Sequence, residues 1–257
     1  MENHSYSQII GNFAKAPYIN ALAAKGANFT QSFAITHPSQ PNYLDLYAGS
    51  NHGVTNDTCL VGSPLASSNL GGQLIAAGFT FVGYSEDLPA AGSTVCTSGL
   101  YARKHNPWVN FSDVPAASNQ PFTAMPSDFS TLPTLSFVVP NQCNDMHNGS
   151  GCTLTSSVAN GDVWLQANLD AYVQWAPGHN SLFILTFDED DGHHLNQITT
   201  IFVGSLVIPG NYSDRIDHYS VLATLEAMYE LDAIGGAAAT VPITAVWDTR
   251  VFSDGFD

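Results

Sequence analysis

The sequence predicts a three-layer α/β/α domain with a mainly parallel central sheet, spanning residues 1–257 as one unit. Short apolar runs alternate along the chain with longer segments of helical spacing, which is typical of layered α/β folds. Hydrophobic residues make up 44% of the chain, enough to bury a sizeable core. The stretch 89–133 is rich in Pro, Ser and Asn, and we expect it to form an irregular insertion.

The predicted strands are continuous apolar runs, as expected for strands covered on both faces. They lie at 79–84, 135–139, 182–187 and 200–204. The predicted helices combine amphipathic spacing with glycine, proline or capping signals at their ends. They lie at 16–25, 70–77, 162–175 and 218–231, the last capped by Asp217 or Ser220.

The charge balance excludes several classes of partner. The chain has 22 acidic and 6 basic residues and a net charge of −16. Binding to a nucleic-acid backbone needs a basic surface, so we expect no nucleic-acid partner. Anionic membrane surfaces are disfavoured for the same reason. The sequence also lacks an apolar run of about 18 residues, so we expect no membrane insertion.

Four cysteines, an even number, fit an oxidising compartment. Three pairings are possible, and local spacing favours Cys143 with Cys152 and Cys59 with Cys96. We therefore expect a secreted or periplasmic protein, although polar residues follow Met1 where a signal peptide would be apolar. Four free thiols in a cytosolic protein are the alternative.

An acidic run follows the predicted strand 182–187. Its four consecutive acids, residues 188–191, lie at the carboxyl end of an apolar strand, where open α/β sheets bind ligands. Crowded carboxylates at a core edge resist ionisation unless a cation compensates. The run favours a hard divalent metal, and a solvated acidic turn is the alternative.

A second motif places Ser39 between Pro38 and Pro41, just before an apolar helical pattern. A helix start favours an anion or a developing negative charge, although Ser39 could also simply cap its helix. His147 follows another predicted strand, and His218 begins the last helix. Ser39, His147 and the acids at 188 and 189 are expected to meet at one sheet edge.

Ser85 offers a competing hypothesis, because residues 83–87 approximate the GxSxG turn of α/β-hydrolases. The fifth position is Asp87 rather than glycine, and Leu88-Pro89 follows where a helix should begin. These departures disfavour an esterase built on Ser85.

Five short motifs, in order along the chain, resemble the bacterial phosphoesterase family. This family contains acid phosphatases and non-haemolytic phospholipases C and belongs to the alkaline-phosphatase superfamily. The matching segments are 2–6, 36–43, 144–147, 186–189 and 217–220.

The resemblance implies a secreted, metal-dependent acid phosphatase that acts on small phosphate monoesters through a phosphoserine on Ser39. One divalent metal, Mg²⁺, Ca²⁺, Mn²⁺ or Zn²⁺, would be held by Glu2, Asn3, Ser39, Asp188 and Glu189. The remaining implied roles are phosphoryl binding or proton donation, assigned to His37, Asn42, His147 and, more weakly, His218. Because cations are scarce, we also expect Arg103, Lys104 and His105 to bind the substrate phosphate.

Two features keep alternatives open. In the family the Glu-Asn pair ends a buried strand, whereas only Met1 precedes Glu2 here, so that strand is expected to be missing. The site could then bind a divalent cation without turnover. A phosphodiesterase of the phospholipase C type is the other alternative, although the continuation Asp190-Asp191-Gly192 and the shorter chain favour a phosphatase.

Overall fold

The computed structural model describes residues 1–61, 65–147, 151–152 and 154–248. Its helices are α1 Tyr6–Ile9, α2 Pro17–Lys25, α3 Ser39–Ala48, α4 Leu70–Ala76, α5 Ser157–Trp175 and α6 His218–Met228. Its strands are β1 Ala27–Phe29, β2 Ser32–Phe33, β3 Phe81–Ser85, β4 Thr97–Ser98, β5 Tyr101–Ala102, β6 Asn119–Pro121, β7 Leu135–Val139, β8 Leu182–Thr186, β9 Thr200–Gly204, β10 Gly210–Tyr212 and β11 Ile216–Asp217.

The predicted helices and strands are all present, with shifted ends. Helix α5 begins at Ser157 rather than residue 162, because the Ser156 hydroxyl accepts a hydrogen bond from the Ala159 amide and caps the helix. Strand β3 begins at Phe81 rather than at Phe79, which is 37% exposed. Asp217 caps α6 in a reciprocal arrangement with Ser220.

The strands form two main sheets, ordered β6-β3-β7 and β10-β1-β9-β8. The first is parallel throughout, and β1 pairs with β10 in parallel. Strand β9, however, runs antiparallel to both β8 and β1. The connection from β8 to β9 contains no crossover helix, so the chain returns in the opposite direction.

Helices cover both faces of the β8–β9 region. Phe183 and Leu185 of β8 belong to one apolar cluster, which includes residues of α2 and α5. Leu182 and Ile184 pack against a second cluster, built largely from α3, α4 and α6. Because successive strand residues point to opposite faces, the two clusters lie on opposite sides of the sheet. The predicted α/β/α layering is confirmed.

A cavity of about 1080 Å³ separates the two sheets. Strands β7 and β8, each the last strand of its sheet, both line it along their whole length. Its other walls are mostly apolar and include Met1, Leu165 and Leu225. At one end Met1 reaches β8: its amino group donates to the Thr186 carbonyl at 3.1 Å, and its carbonyl accepts from the Asp188 amide at 2.9 Å.

The insertion 89–133 contains β4, β5, β6 and short 3₁₀ turns, and its strand β6 extends the sheet beside β3. Both disulfides pair as the spacing favours: Cys59 with Cys96, and Cys143 with Cys152. The first ties the loop after α3 to the insertion. The second joins Cys143, four residues before His147, to Cys152.

Three chain segments bring functional groups to one end of the fold. The turn after β8 carries Asp188 and Glu189, the segment after β7 carries Asp145 and His147, and α3 begins at Ser39. Within the described ranges, the helices are too short or too polar to cross a membrane.

Candidate active site

Ser39 is the first residue of α3 and lies at the centre of the site. Its side chain is buried, and its hydroxyl oxygen lies 3.0 Å from Glu189 Oε1 and 3.1 Å from Glu2 Oε2. At the start of a helix the backbone dipole favours negative charge. A serine oxygen between two carboxylates is well placed to lose a proton once a cation offsets their charge.

The acidic run after β8 divides into two parts. Asp188 and Glu189 are buried and face the Ser39 side of the turn. The Asp190 carboxylate instead accepts hydrogen bonds from the backbone amides of Gly192, His194 and Asn196. Asp190 therefore holds the loop in shape, and its Oδ1 also lies 3.4 Å from His37 Nε2, while Asp188 and Glu189 are the acids that face Ser39.

Glu2 is fully buried at the centre of the carboxylate group. Its backbone amide donates to the Asp145 carbonyl at 2.7 Å, which fixes the chain against the segment after β7. The adjacent Asn3 has a left-handed backbone, φ 44°, a conformation that asparagine tolerates better than most residues. Its amide donates to Asp188 Oδ1 at 3.3 Å.

Burial and mutual repulsion raise the free energy of the ionised form of these carboxylates. Burial, together with the charges of Glu2 and Glu189, raises the pKa of Asp188 well above its ordinary value. Burial likewise raises the pKa of Glu189, against the opposing hydrogen bond from Ser39. Burial also opposes ionisation of Glu2, but the charge of His105 and a hydrogen bond with His147 outweigh it and lower the pKa of Glu2. Such a group is stabilised by a bound cation.

The donor set fits a hard divalent ion. Asn3 Oδ1 and Asp188 Oδ2 are buried oxygens with no hydrogen-bond partner in the described chain. Buried polar atoms without partners are rare in native proteins and point to a missing ligand. With Glu2, Glu189 and the Ser39 hydroxyl they supply the all-oxygen coordination that Mg²⁺, Ca²⁺ and Mn²⁺ prefer.

The three histidines expected to bind the phosphoryl group or donate a proton occupy different positions. His37 Nδ1 lies 2.5 Å from Glu189 Oε2, and its side chain is 44% exposed. His147 Nδ1 lies 3.7 Å from Glu2 Oε2, and its side chain is 34% exposed. His218 is buried, and its Nε2 donates to the Asp188 carbonyl at 2.7 Å. His37 and His147 are accessible to a substrate, whereas His218 supports the turn that carries Asp188.

Asn42 holds the turn that carries His37. Its side-chain oxygen accepts from the amides of Ile35 and Thr36, and its nitrogen donates to the carbonyls of Thr36 and Pro38. A contact with substrate would require one of these bonds to open.

The tripeptide 103–105 is divided among three environments. The Arg103 guanidinium bonds within the insertion, to Thr94 and Asn110. Lys104 Nζ lies 2.6 Å from Asp57 Oδ2. His105 is buried beneath Glu2, and its Nε2 lies 3.4 Å from Glu2 Oε1. The structure thus brings His105 to the carboxylates, while Arg103 is engaged elsewhere.

Two residues of the site were not predicted from the sequence. The Tyr43 hydroxyl donates to Glu2 Oε1, and Tyr43 follows Ser39 by four residues, the spacing that places side chains on one helix face. Asp145 Oδ2 lies 3.4 Å from His105 Nδ1. Helical spacing could have found Tyr43, and the motif 144–147 contains Asp145.

Ser85 lies outside this arrangement. It is fully buried at the end of β3, and its hydroxyl accepts a hydrogen bond from Asn106 Nδ2 at 2.6 Å. Glu86, the next residue, anchors Asn144 and Trp164, which supports the segment after β7. The polar residues of segment 83–87 therefore form hydrogen bonds that support the fold.

Comparison with known proteins decides the family, because the phosphoesterase family model matches residues 1–232. The chain belongs to the phosphoesterase family. It is 53% identical over 248 residues to a phosphatidylinositol-3-phosphatase of Mycobacterium tuberculosis, covering 96% of this chain and 80% of that protein. It is 31% identical to a phosphate-repressible acid phosphatase of Penicillium chrysogenum, covering 84% of this chain and 55% of that protein.

The fold comparison agrees with this family. A solved structure of an alkaline-phosphatase superfamily protein from Vibrio parahaemolyticus superposes with a TM-score of 0.63 at 14% identity, covering 95% of this chain and 69% of that one. The family and the phosphatase relatives together place the chain among the phosphoric ester hydrolases, with an alkaline-phosphatase-like fold.

Proposed function

We propose that this phosphoesterase is a metal-dependent phosphomonoesterase that acts through a phosphoserine intermediate on Ser39. The observation that carries the proposal is the position of the Ser39 hydroxyl, buried at the start of α3 and within 3.1 Å of two carboxylates. In this proposal Glu2, Asn3, Asp188, Glu189 and the Ser39 hydroxyl hold the divalent ion. When bound, the ion offsets the carboxylate charge and lowers the pKa of the serine.

The reaction proceeds in two displacements. The Ser39 hydroxyl gives its proton to Glu189, and its oxygen attacks phosphorus while the ester P–O bond breaks. Water gives a proton to His147 as its oxygen attacks the phosphoserine, the Ser39 P–O bond breaks, and the serine oxygen regains its proton from Glu189. Inorganic phosphate is released, and the chain returns to its initial state.

The accessible histidines complete the chemistry. His147 lies beside Glu2 and is partly exposed, so it protonates the departing ester oxygen. His37 is held at Nδ1 by Glu189 and is partly exposed, and its Nε2, which lies 3.4 Å from Asp190 Oδ1, donates to a phosphoryl oxygen. Lys104, half-buried and paired with Asp57, supplies positive charge for the substrate phosphate.

The compartment and substrate class follow from other observations. Two disulfides support a location outside the reducing cytoplasm, so we infer a secreted or periplasmic protein. The relative from Mycobacterium tuberculosis is named for a monoester on an inositol lipid headgroup, and the fungal relatives are named acid phosphatases. These names favour monoesters over diesters.

The test compares p-nitrophenyl phosphate with bis-p-nitrophenyl phosphate between about pH 4 and pH 9, with and without chelator. We expect monoester hydrolysis that chelator abolishes and that Ser39→Ala lowers at least about 10⁴-fold. Preference for the diester would support the phospholipase C type instead. Cation binding without phosphate release would support a non-catalytic relative.

A further inference from the structure

A buried histidine and aspartate lie directly beneath the carboxylate group. His105 and Asp145 are each about 1% exposed. His105 Nε2 lies 3.4 Å from Glu2 Oε1, and His105 Nδ1 lies 3.4 Å from Asp145 Oδ2. His105 Nε2 and Asp145 Oδ2 have no hydrogen-bond partner within the part of the chain that the structure describes. Each is therefore available to the atom that faces it.

Glu2, His105 and Asp145 lie close enough to suggest a second metal site, but the orientation of the ring argues against one. The two nitrogens of His105 face different carboxylates, one on each side of the ring. One ion cannot use both nitrogens of a single imidazole. The imidazole lies between two acids: Glu2 is on the side of the proposed metal, and Asp145 is on the opposite side of the ring.

The ring itself is held in place by its surroundings. It stacks on Tyr43, with ring centroids 5.3 Å apart and an interplanar angle of 24°. The Tyr43 hydroxyl donates to the same Glu2 oxygen that His105 faces. Asp145 is fixed in turn, because its Oδ1 accepts from the His147 amide at 2.7 Å and its carbonyl accepts from the Glu2 amide.

We propose that His105, backed by Asp145, is a positioning residue that holds Glu2 Oε1 so that Oε2 faces Ser39 and the metal. A carboxylate ligand whose second oxygen is held from behind, here by the Tyr43 hydroxyl and the facing His105 nitrogen, is restrained from rotating, and such outer partners commonly tune metal affinity about 10- to 100-fold. This inference rests on the proposed function, because it assumes that Glu2 is a metal ligand.

The inference also gives His105 a different role from the substrate contact expected from the sequence. With about 1% of its surface exposed, the ring has no open side toward a phosphate ester. Its neighbour Lys104 has a side chain that is 19% exposed, so a substrate can reach Lys104 but not His105.

The test measures Mn²⁺ affinity by titration calorimetry on the chelator-stripped protein, together with the thermal midpoint in chelator. His105→Phe keeps a ring against Tyr43 but removes both nitrogens. We expect it to weaken Mn²⁺ binding about 10- to 100-fold. His105→Gln restores a donor toward Glu2 and is expected to recover most of that affinity. His52→Phe makes the same change at a half-buried ring that packs on Phe111, and it should leave the affinity unchanged.

The outcomes separate the inference from the proposed function. If His105→Phe lowers the thermal midpoint in chelator but binds Mn²⁺ as tightly as the unaltered protein, His105 is merely structural and the inference fails. If His105→Phe does not fold, His105→Gln and Asp145→Asn decide it. Both keep a hydrogen-bonding group in the bridge, so an affinity loss above about tenfold in both would overturn the inference. If the unaltered protein binds no divalent ion, the proposed metal dependence fails as well.

Discussion

The Ser39 hydroxyl oxygen and Glu189 Oε1 lie 3.0 Å apart, although 150 residues separate them in the chain. The contact joins the first residue of α3 to the turn that follows β8. The other oxygen of Glu189 is held by His37 at 2.5 Å. Glu189 is thus fixed on one side and faces the Ser39 hydroxyl with the other, an arrangement suited to accepting the serine proton.

Replacing Glu189 tests that role. Glu189→Gln removes the charge but keeps the shape, so we expect kcat to fall about 10²- to 10⁴-fold while the protein stays folded. The matched control is Asp191→Asn in the same turn, whose carboxylate bonds to Gln8 and His194 rather than to Ser39. Steady-state kinetics with circular dichroism measure both variants. Equal losses in the two variants would mean that the turn, rather than the carboxylate, matters.

His147 is expected to act on the leaving group. A nitrophenolate departs without help, whereas an alkoxide needs a proton. His147→Asn should therefore lower kcat/KM much more for an alkyl phosphate, about 10²- to 10⁴-fold, than for p-nitrophenyl phosphate. The comparison uses phosphate release from both esters. A loss of the same size for the two substrates would assign His147 to phosphoryl binding instead.

Glu226 makes stability depend on pH. Its side chain is buried in α6, Oε1 accepts from the Ile234 amide, and Oε2 has no hydrogen-bond partner among the described residues. Burial raises its pKa from 4.5 to about 7. The folded state therefore holds this proton more tightly than the unfolded state. The contribution of this proton to stability is complete below the pKa of Glu226 in the unfolded chain. It is lost as pH rises from there through the pKa of Glu226 in the folded protein.

We expect Glu226→Gln to remove that part of the pH dependence. The free energy of unfolding should fall more steeply between pH 4.5 and about 7 in the unaltered protein than in the variant, with a difference of about 1–3 kcal/mol at pH 8. Chemical denaturation across this range measures it, with chelator present throughout. Parallel curves for the two proteins would show that Glu226 ionises as easily folded as unfolded.

The cavity between β7 and β8 predicts the effect of an added strand. Both strands are the last of their sheets and line the cavity, and Met1 already bonds to the end of β8. An apolar five-residue segment fused ahead of Met1 could pair with both strands. We expect it to raise stability by at least about 2 kcal/mol, or roughly 4–8 °C in Tm.

The matched control for this fusion is a Gly-Ser extension of equal length, which has little strand propensity and no side chains to fill the cavity. Calorimetry compares the two fusions. If both melt at the same temperature, the cavity does not accept a strand.

Much of the fold could be predicted from local sequence signals. The runs that became β7, β8 and β9 are apolar enough to identify strands, and glycine or proline marks the ends of α2 and α5. Strand direction was not readable, because it depends on how the chain returns after β8 rather than on the residues of β9. The two- and three-residue strands were missed, since they contain too few residues to establish a period.

The candidate site was predicted less completely, for a physical reason. Motif order identified Ser39, Asp188 and Glu189, and the structure brings these three together. The bridge from Asp145 through His105 to Glu2 joins segments at least 40 residues apart and could not be predicted from spacing. The scarcity of cations suggested that Arg103 binds substrate. Scarcity does not predict where a side chain points, and the Arg103 guanidinium bonds within the insertion.

The central claim is a phosphoserine on Ser39, and trapping it is the most direct test. The protein is mixed with a phosphate monoester and Mn²⁺, quenched in acid after less than one turnover, digested and analysed by mass spectrometry. The account predicts phosphate on the peptide that contains Ser39 and no phosphate on that peptide from Ser39→Ala. Rapid phosphate release with no phosphopeptide at any quench time would contradict it and indicate direct attack by water.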